Sequence, residues 1–278
     1  NGEINLSYKH NHLIFSNRLS IGLNKAQESP YGAFSDYVKL NPYWEPYDED
    51  GKVRRYFSPY NWGYWAGSSG VNSEKGVPNP LYDATLNTYD KSNYTNITNN
   101  FSIEWTPIPE LTLNGRVGIS GQTDEGDMFK PSTHSSFVSY TGEDIARKGS
   151  YQYKTGKDLR YEASFTANFR KLFADKHLVY AGVNAELSES NGRSYTFNVE
   201  GFSDESLDFL SMALQYEKDG KPSGSESKSR RIGLVGNVNY SYDNRYYVDF
   251  SLRTDGSSQF GSSKRFALFP AVGLGWNL

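Results

Sequence analysis

No cysteine occurs among the 278 residues, which excludes disulfides, thiolate metal sites and thiol catalysis. Histidine is scarce, the four being His10, His12, His134 and His177. Only His10 and His12 are neighbours, and two solvent-facing histidines on a tight turn describe them better than a metal pair. The chain also lacks an excess of one charge: the formal net charge is -3 and the pI about 5.9, so nucleic acid is not an expected partner. No apolar run approaches the roughly 18 residues that cross a bilayer as a helix, and the mean hydropathy is -0.70. A helical membrane protein is excluded. The opening "NGEINLSYKH" carries no basic and apolar leader, which leaves two expectations: a leader removed together with more of the chain, or a cytoplasmic protein.

Catalytic signatures are missing as well. There is no Gly-x-Ser-x-Gly elbow and no His-Glu-x-x-His, so the chain is not expected to be an enzyme, and no catalytic residue, metal or cofactor is assigned. The stretch "GSSQFGSSK" (256–264) imitates a phosphate loop, but Ser262 follows the second glycine where that loop needs lysine. The segment after it, "FALFPAVGLGWNL", alternates by twos and holds proline and glycines; it starts a strand, not a helix.

What is present is aromatic residues, at 15% with 22 tyrosines and 16 phenylalanines, and a persistent period of two. In 111–120 the set Leu111, Leu113, Gly115, Val117, Ile119 alternates with Thr112, Asn114, Arg116, Gly118, Ser120. Segments 159–170, 232–242 and 246–254 separate in the same way, and comparable runs lie at 4–8, 13–23, 97–105, 179–187 and 266–278. Nine strands are therefore expected, most of them longer than the mean of about 5–6 residues in soluble proteins. Short connections near 9–12, 106–110, 171–177 and 243–245 alternate with long ones near 24–95, 121–157, 188–230 and 255–265. Aromatics gather at the short-turn ends: Tyr8, Trp105, Phe169, Tyr242, Tyr246 and Trp276. Short turns on one side, long loops on the other and an aromatic girdle describe a transmembrane β-barrel. The competing architecture is a soluble secreted β-sandwich, a carbohydrate-binding module whose aromatics fill a core. Barrels of this kind close with an even number of strands, so the expected fold is all-β: an incomplete antiparallel transmembrane barrel segment with long extracellular loops.

The motif "RTDGSSQFGSSKRFALFPAVGLGW" (253–276) resembles a hallmark of the SusC/RagA family of TonB-dependent outer-membrane transporters. Arg253, Asp255, Gly256, Ser257, Ser258, Phe260, Gly261, Phe269, Pro270, Gly275 and Trp276 carry the match. "NPYWEPYDEDGK" (41–52), "NPLYDATL" (79–86) and "YTNITNNFSIEW" (94–105) are similar to family segments in the same order. The resemblance implies that residues 1–278 are part of a barrel domain in the bacterial outer membrane, without the family's signal peptide, plug domain and remaining strands. For the intact protein it implies TonB-dependent import of a nutrient, glycan or peptide, with a SusD-like surface lipoprotein as partner, TonB engaged through the plug, and outer-membrane lipid around the barrel.

Within the 253–276 motif, Gly256 and Gly261 are expected at positive φ, Ser257 and Ser258 in local hydrogen bonds, and Pro270 at a bulge. Arg253 and Asp255 either touch substrate or join a charge network facing the lumen. In "YFSPYNWGYWAG" (56–67), the rings of Trp62, Tyr64 and Trp65 could stack on sugar rings, fold on their own loop, or pack on a partner. "ESLDFLSMALQY" (205–216) reads as a short helix in a loop or a local packing cluster. The carboxylates of "EGDMF" and "YDED" do not follow the spacing of a calcium loop.

Overall fold

The computed structural model describes residues 1–57, 77–261 and 265–277. In chain order its strands are β1 (Gly2–His10), β2 (Leu13–Gln27), β3 (Tyr56–Phe57), β4 (Val77–Pro78), β5 (Tyr89–Ile108), β6 (Leu111–Lys130), β7 (Ser150–Phe173), β8 (His177–Glu200), β9 (Gln215–Tyr216), β10 (Ser223–Tyr242), β11 (Tyr246–Ser257) and β12 (Phe266–Trp276). Nine of them form one antiparallel meander, β1-β2-β5-β6-β7-β8-β10-β11-β12, with β9 added to β8 and β3 paired only with β4. The nine are the nine that the alternation marks. Their tight turns use left-handed residues, Asn11 (φ 52°), Asp175 (φ 55°), Asp243 (φ 54°) and Asn244 (φ 51°), a conformation that matches the twist of the flanking strands.

The strands run further than the hydrophobic pattern shows. The regions expected as loops at 121–157 and 188–230 contain the upper ends of β6, β7, β8 and β10, and β7 and β8 reach 24 residues each. Alternation marks a strand only where its two faces meet different media. Beyond the hydrocarbon the strands pass between water and the covering loops, apolar residues no longer alternate along them, and the ladder of backbone bonds continues without a sequence signal.

Register determines the faces. Leu6, Asn17, Phe101, Val117, Ala163, Leu187, Ile232, Gly256 and Phe266 lie side by side across the sheet. Neighbouring rows on this face hold Phe165, Leu234, Val238, Phe250 and Leu268, and these side chains are exposed. The opposite face carries Arg160, Glu162, Asn184, Asn237 and Arg253. No second sheet packs on the apolar rows among the described residues, which overturns the soluble sandwich: its defining inter-sheet core is missing.

Two boundaries give the strand tilt. Trp105 on β5 shares a register row with Pro270 on β12, and that row runs six residues above Trp276, across six strand-to-strand steps. At the other end Ile97, the last apolar residue of β5 on this face, shares a row with Lys228, four residues above Ile232 and four steps away. Both boundaries descend one residue per strand. With about 3.3 Å per residue and about 4.8 Å between strands, that slope is about 35°, within the tilt of membrane barrels.

At the lower boundary the girdle is built from touching rings. His177 and Tyr242 have centroids 5.0 Å apart, Tyr242 and Tyr246 6.4 Å, and Tyr246 and Trp276 6.3 Å. The expected bulge at Pro270 does not form: β11 and β12 stay in register, with Leu252 opposite Pro270. The bonds Ser257 N to Arg265 O and Asn277 N to Arg245 O put the hydrogen-bonded pairs at alternate positions that skip Pro270. Its missing donor therefore points to the open edge and costs the β11 ladder nothing. The irregularity of the sheet lies instead on β5, where the register shifts between Trp105 and Ile108.

Candidate functional site

On the polar face, side chains of opposite sign interleave across β6, β7, β8, β10 and β11. Arg116, Ser164, Glu186, Gly233 and Asp255 share one row, and Glu162, Ser188 and Arg231 the next. Arg253 Nε donates to Asp255 Oδ2 at 2.6 Å, and Arg160 pairs with Glu162. These groups border a concavity of about 580 Å³. Arg253 and Asp255 thus form an ion pair on the polar face of the sheet. Such a wall, with charges of both signs side by side and two of its pairs closed, can hold polar groups of a solute by many weak exchanges.

The rim motif works differently from the expectation. Neither Gly256 nor Gly261 has positive φ. Gly256 lies inside β11, and a Cβ there would stand 2.5 Å from Phe266 Cε1 and 2.8 Å from Ile232 Cγ2; glycine is required by close packing between three strands. Ser257 behaves locally, its Oγ accepting from Gln259 N at 3.2 Å. Ser258 reaches across: its N donates to Arg230 O and its Oγ accepts from Arg230 N, both at 2.9 Å. The paired hydroxyls thus end one hairpin and tie it to β10. Phe260 is half exposed on the rim. Phe269 pairs with Arg253 on the inner register of β12.

Above the membrane band the long loops are tied to one another. Asn79 is fully buried; its Nδ2 donates to Pro46 O (3.0 Å) and Arg54 O (2.8 Å), and its Oδ1 accepts from Leu81 N (3.1 Å). One side chain therefore joins "NPYWEPYDEDGK" to "NPLYDATL". It also caps the short helix Pro80–Asp83, whose proline stands at the first turn. Asp83 then accepts from Ser135 N at 2.8 Å and from the Ser135 hydroxyl, and Asn87 Nδ2 donates to Glu205 O at 3.1 Å. Tyr89 Oη donates to Asp208 O at 2.8 Å. Arg147 closes the assembly with a fork to Glu200 (2.7 and 3.0 Å) and a bond to Asp144 (2.6 Å), which holds the Asp144 carboxyl below the usual carboxylate range.

Beneath these loops lies a small apolar core of Phe129, Tyr151, Val199 and Phe202, packed by Leu207, Leu210 and Ala213. The 205–216 segment is therefore a packing cluster. Its helix is one 3-10 turn, Leu210–Met212, because its apolar residues follow the surface they cover. A cleft of about 770 Å³ opens between the loops, lined by Tyr31, Trp44, Asp83, Tyr89, Lys130 and His134 among others. Burial pushes the His134 imidazole below its ordinary pKa, against the pull of Asp83. Aromatic faces beside charged and hydroxylic groups suit sugar rings or peptide side chains. Sequence reasoning missed this cleft, whose walls come from segments far apart in the chain. Trp62, Tyr64 and Trp65 lie outside the described residues.

No family model matches the chain. TonB-dependent receptor P3 of Formosa agariphila is 24% identical over 208 residues, covering 73% of this chain and 19% of that protein. TonB-dependent receptor SusC of Bacteroides thetaiotaomicron is 24% identical over 238 residues, covering 79% of the chain and 22% of its own length. The chain thus spans about a fifth of the length of these curated relatives. Among solved structures, that of the RagAB peptide transporter superposes with a TM-score of 0.75 over 98% of this chain and 29% of that one, at 20% identity. Its 'open-open' state gives a TM-score of 0.74 at 22% identity. These structures fix the fold, and the sequence relatives carry the kinship. With its tilted sheet, hydrocarbon-facing rows and aromatic girdle, the chain has the fold of a partial outer-membrane barrel and is similar in sequence to TonB-dependent receptors, SusC among them.

Proposed function

We propose that residues 1–278 form part of the barrel wall and extracellular cap of an intact receptor that imports glycans or peptides, powered through TonB. The plug domain and remaining strands belong to that longer receptor, and a SusD-like lipoprotein closes over the loops. The observation that carries the reading is the joining of three layers in one sheet: an apolar outside, a charge-paired inside, and loops bonded into one cap over a cleft. A wall lined by interleaved charges of both signs lets a polar solute pass without trapping it, while the cleft offers the more selective contacts. Arg253 and Asp255 serve as wall residues there, with Trp62, Tyr64 and Trp65 as further aromatic contacts for the solute.

The test is uptake by cells with and without the gene of the intact receptor, using separate pools of labelled oligosaccharides and oligopeptides. Expected is loss of uptake of one pool in the deletion strain, and equal loss in the parent strain on adding an uncoupler. Unchanged uptake of both pools, or uptake insensitive to the uncoupler, would overturn the proposal.

A further inference from the structure

On the outer face, the row directly above Leu187 and Ile232 holds Glu189 and Arg230, followed by Asn191 and Lys228. Glu189 serves both cations: Arg230 Nε lies 2.7 Å from Oε2 and Lys228 Nζ 3.0 Å from Oε1, with Asn191 Nδ2 3.1 Å from Oε1. The following row adds Lys157, Arg193 and Glu226, of which Arg193 and Glu226 pair at 2.6 Å. Four cations thus face two carboxylates on β7, β8 and β10, an excess of positive charge in a chain whose net charge is -3. Below the Glu189–Arg230 row, a trough of about 730 Å³ crosses the strands, lined by Phe101, Val117, Tyr161, Leu187, Ile232 and Phe266. Gly256 contributes no side chain to it.

A soluble partner has no access to apolar side chains at this depth, and a neutral lipid gains nothing from the cations. A lipid with a phosphorylated headgroup satisfies both: acyl chain against Leu187 and Ile232, phosphate oxygens against Arg230 and Lys228, whose donors match them. We propose that this face of β7, β8 and β10 is a binding site for a phosphorylated lipid of the outer leaflet. The site rests on the membrane-barrel reading. Glu189 preorganises the two cations and at the same time competes with the phosphate, so removing it strengthens binding.

The test uses the intact receptor, purified from outer membranes and reconstituted in phosphatidylcholine nanodiscs with bisphosphorylated or dephosphorylated lipid A, and native mass spectrometry to count bound lipid. Expected are about tenfold weaker retention of the phosphorylated form in the R230Q/K228Q double variant, tighter retention in Glu189→Gln, and no change in the inner-wall variant Arg253→Gln. Equal retention of the two lipid A forms by the parent receptor would overturn the proposal, as would a double variant that binds like the parent. A second receptor copy crosslinked across Leu187 would overturn it too, by showing that protein covers the face. Heat-modifiable migration of each variant checks assembly separately, so failure of the barrel reading and failure of the lipid site are distinguishable; should the double variant not assemble, Glu189→Gln alone decides, and no gain there counts against the proposal.

Discussion

Asn17 on β2 and Asn99 on β5 exchange amide hydrogen bonds in both directions, each 3.1 Å long, in the middle of the apolar face. Their register neighbours are Leu19, Phe101 and Ile119. Two amides in hydrocarbon are tolerable only because each satisfies the other. Replacing Asn99 by Ala leaves Asn17 unpaired and should lower stability by about 1–3 kcal/mol, whereas the double replacement by Val should be nearly neutral. Equilibrium urea unfolding of the intact receptor in lipid vesicles, run as a double-mutant cycle, measures the difference.

The face assignment predicts a second asymmetry. Leu234 is 47% exposed on the outer face, while Asn237 bonds to Asn239 on the inner one at 3.1 Å. Leu234→Arg should lose about 2–4 kcal/mol if it lies near the midplane, and Asn237→Arg should assemble normally. Assembly yield by heat-modifiable migration checks both, and equal yields would contradict the assignment.

Asn79 ties two loop segments with three side-chain bonds. Asn79→Leu should free the Arg54 carbonyl and the Leu81 amide and loosen the cap by roughly 3 kcal/mol. Asn79→Asp should keep the helix cap but set a carboxylate against two carbonyls. Limited proteolysis should therefore cut 41–57 in both variants, faster in Leu than in the parent, while the barrel strands stay protected.

The cap should also respond to pH through His134. Burial lowers its folded pKa, Lys130 and Arg55 act in the same direction, and Asp83 opposes them. The unfolded loop then binds more protons than the folded one around and below the ordinary histidine pKa of about 6.5. Stability is full above that range and lost as pH falls through it. Hydrogen-exchange protection factors for 131–137 should drop between about pH 7.5 and 5.5, and His134→Gln should abolish the drop.

The strands were legible because a period of two is a property of extended backbone, displayed wherever lipid faces one side and water the other. Their upper ends were not, because above Gly121 the apolar residues of β6 shrink to Met128 and Phe129, the latter covered by the loops, and no alternation is left to read. Pro270 was expected at a bulge because sequence does not reveal ladder parity; the register puts its missing donor on the edge side. Gly256 reads as a turn glycine in isolation, and only the approach of Phe266 and Ile232 shows a packing requirement. The pairing of Arg253 with Asp255 was foreseeable, since residues two apart on a strand share a face.

From its sequence alone the chain is committed to long antiparallel strands with one apolar and one polar face, since alternation, strand length and the order of short and long connections all follow from local backbone geometry. Folding in three dimensions decided what lies between distant residues: the slope of the hydrocarbon band, the seating of Asn79 between two loop segments, and the meeting of Glu189 with Arg230 and Lys228. Those depend on register, which is fixed by the pairing of whole strands and leaves no trace in a short stretch of sequence.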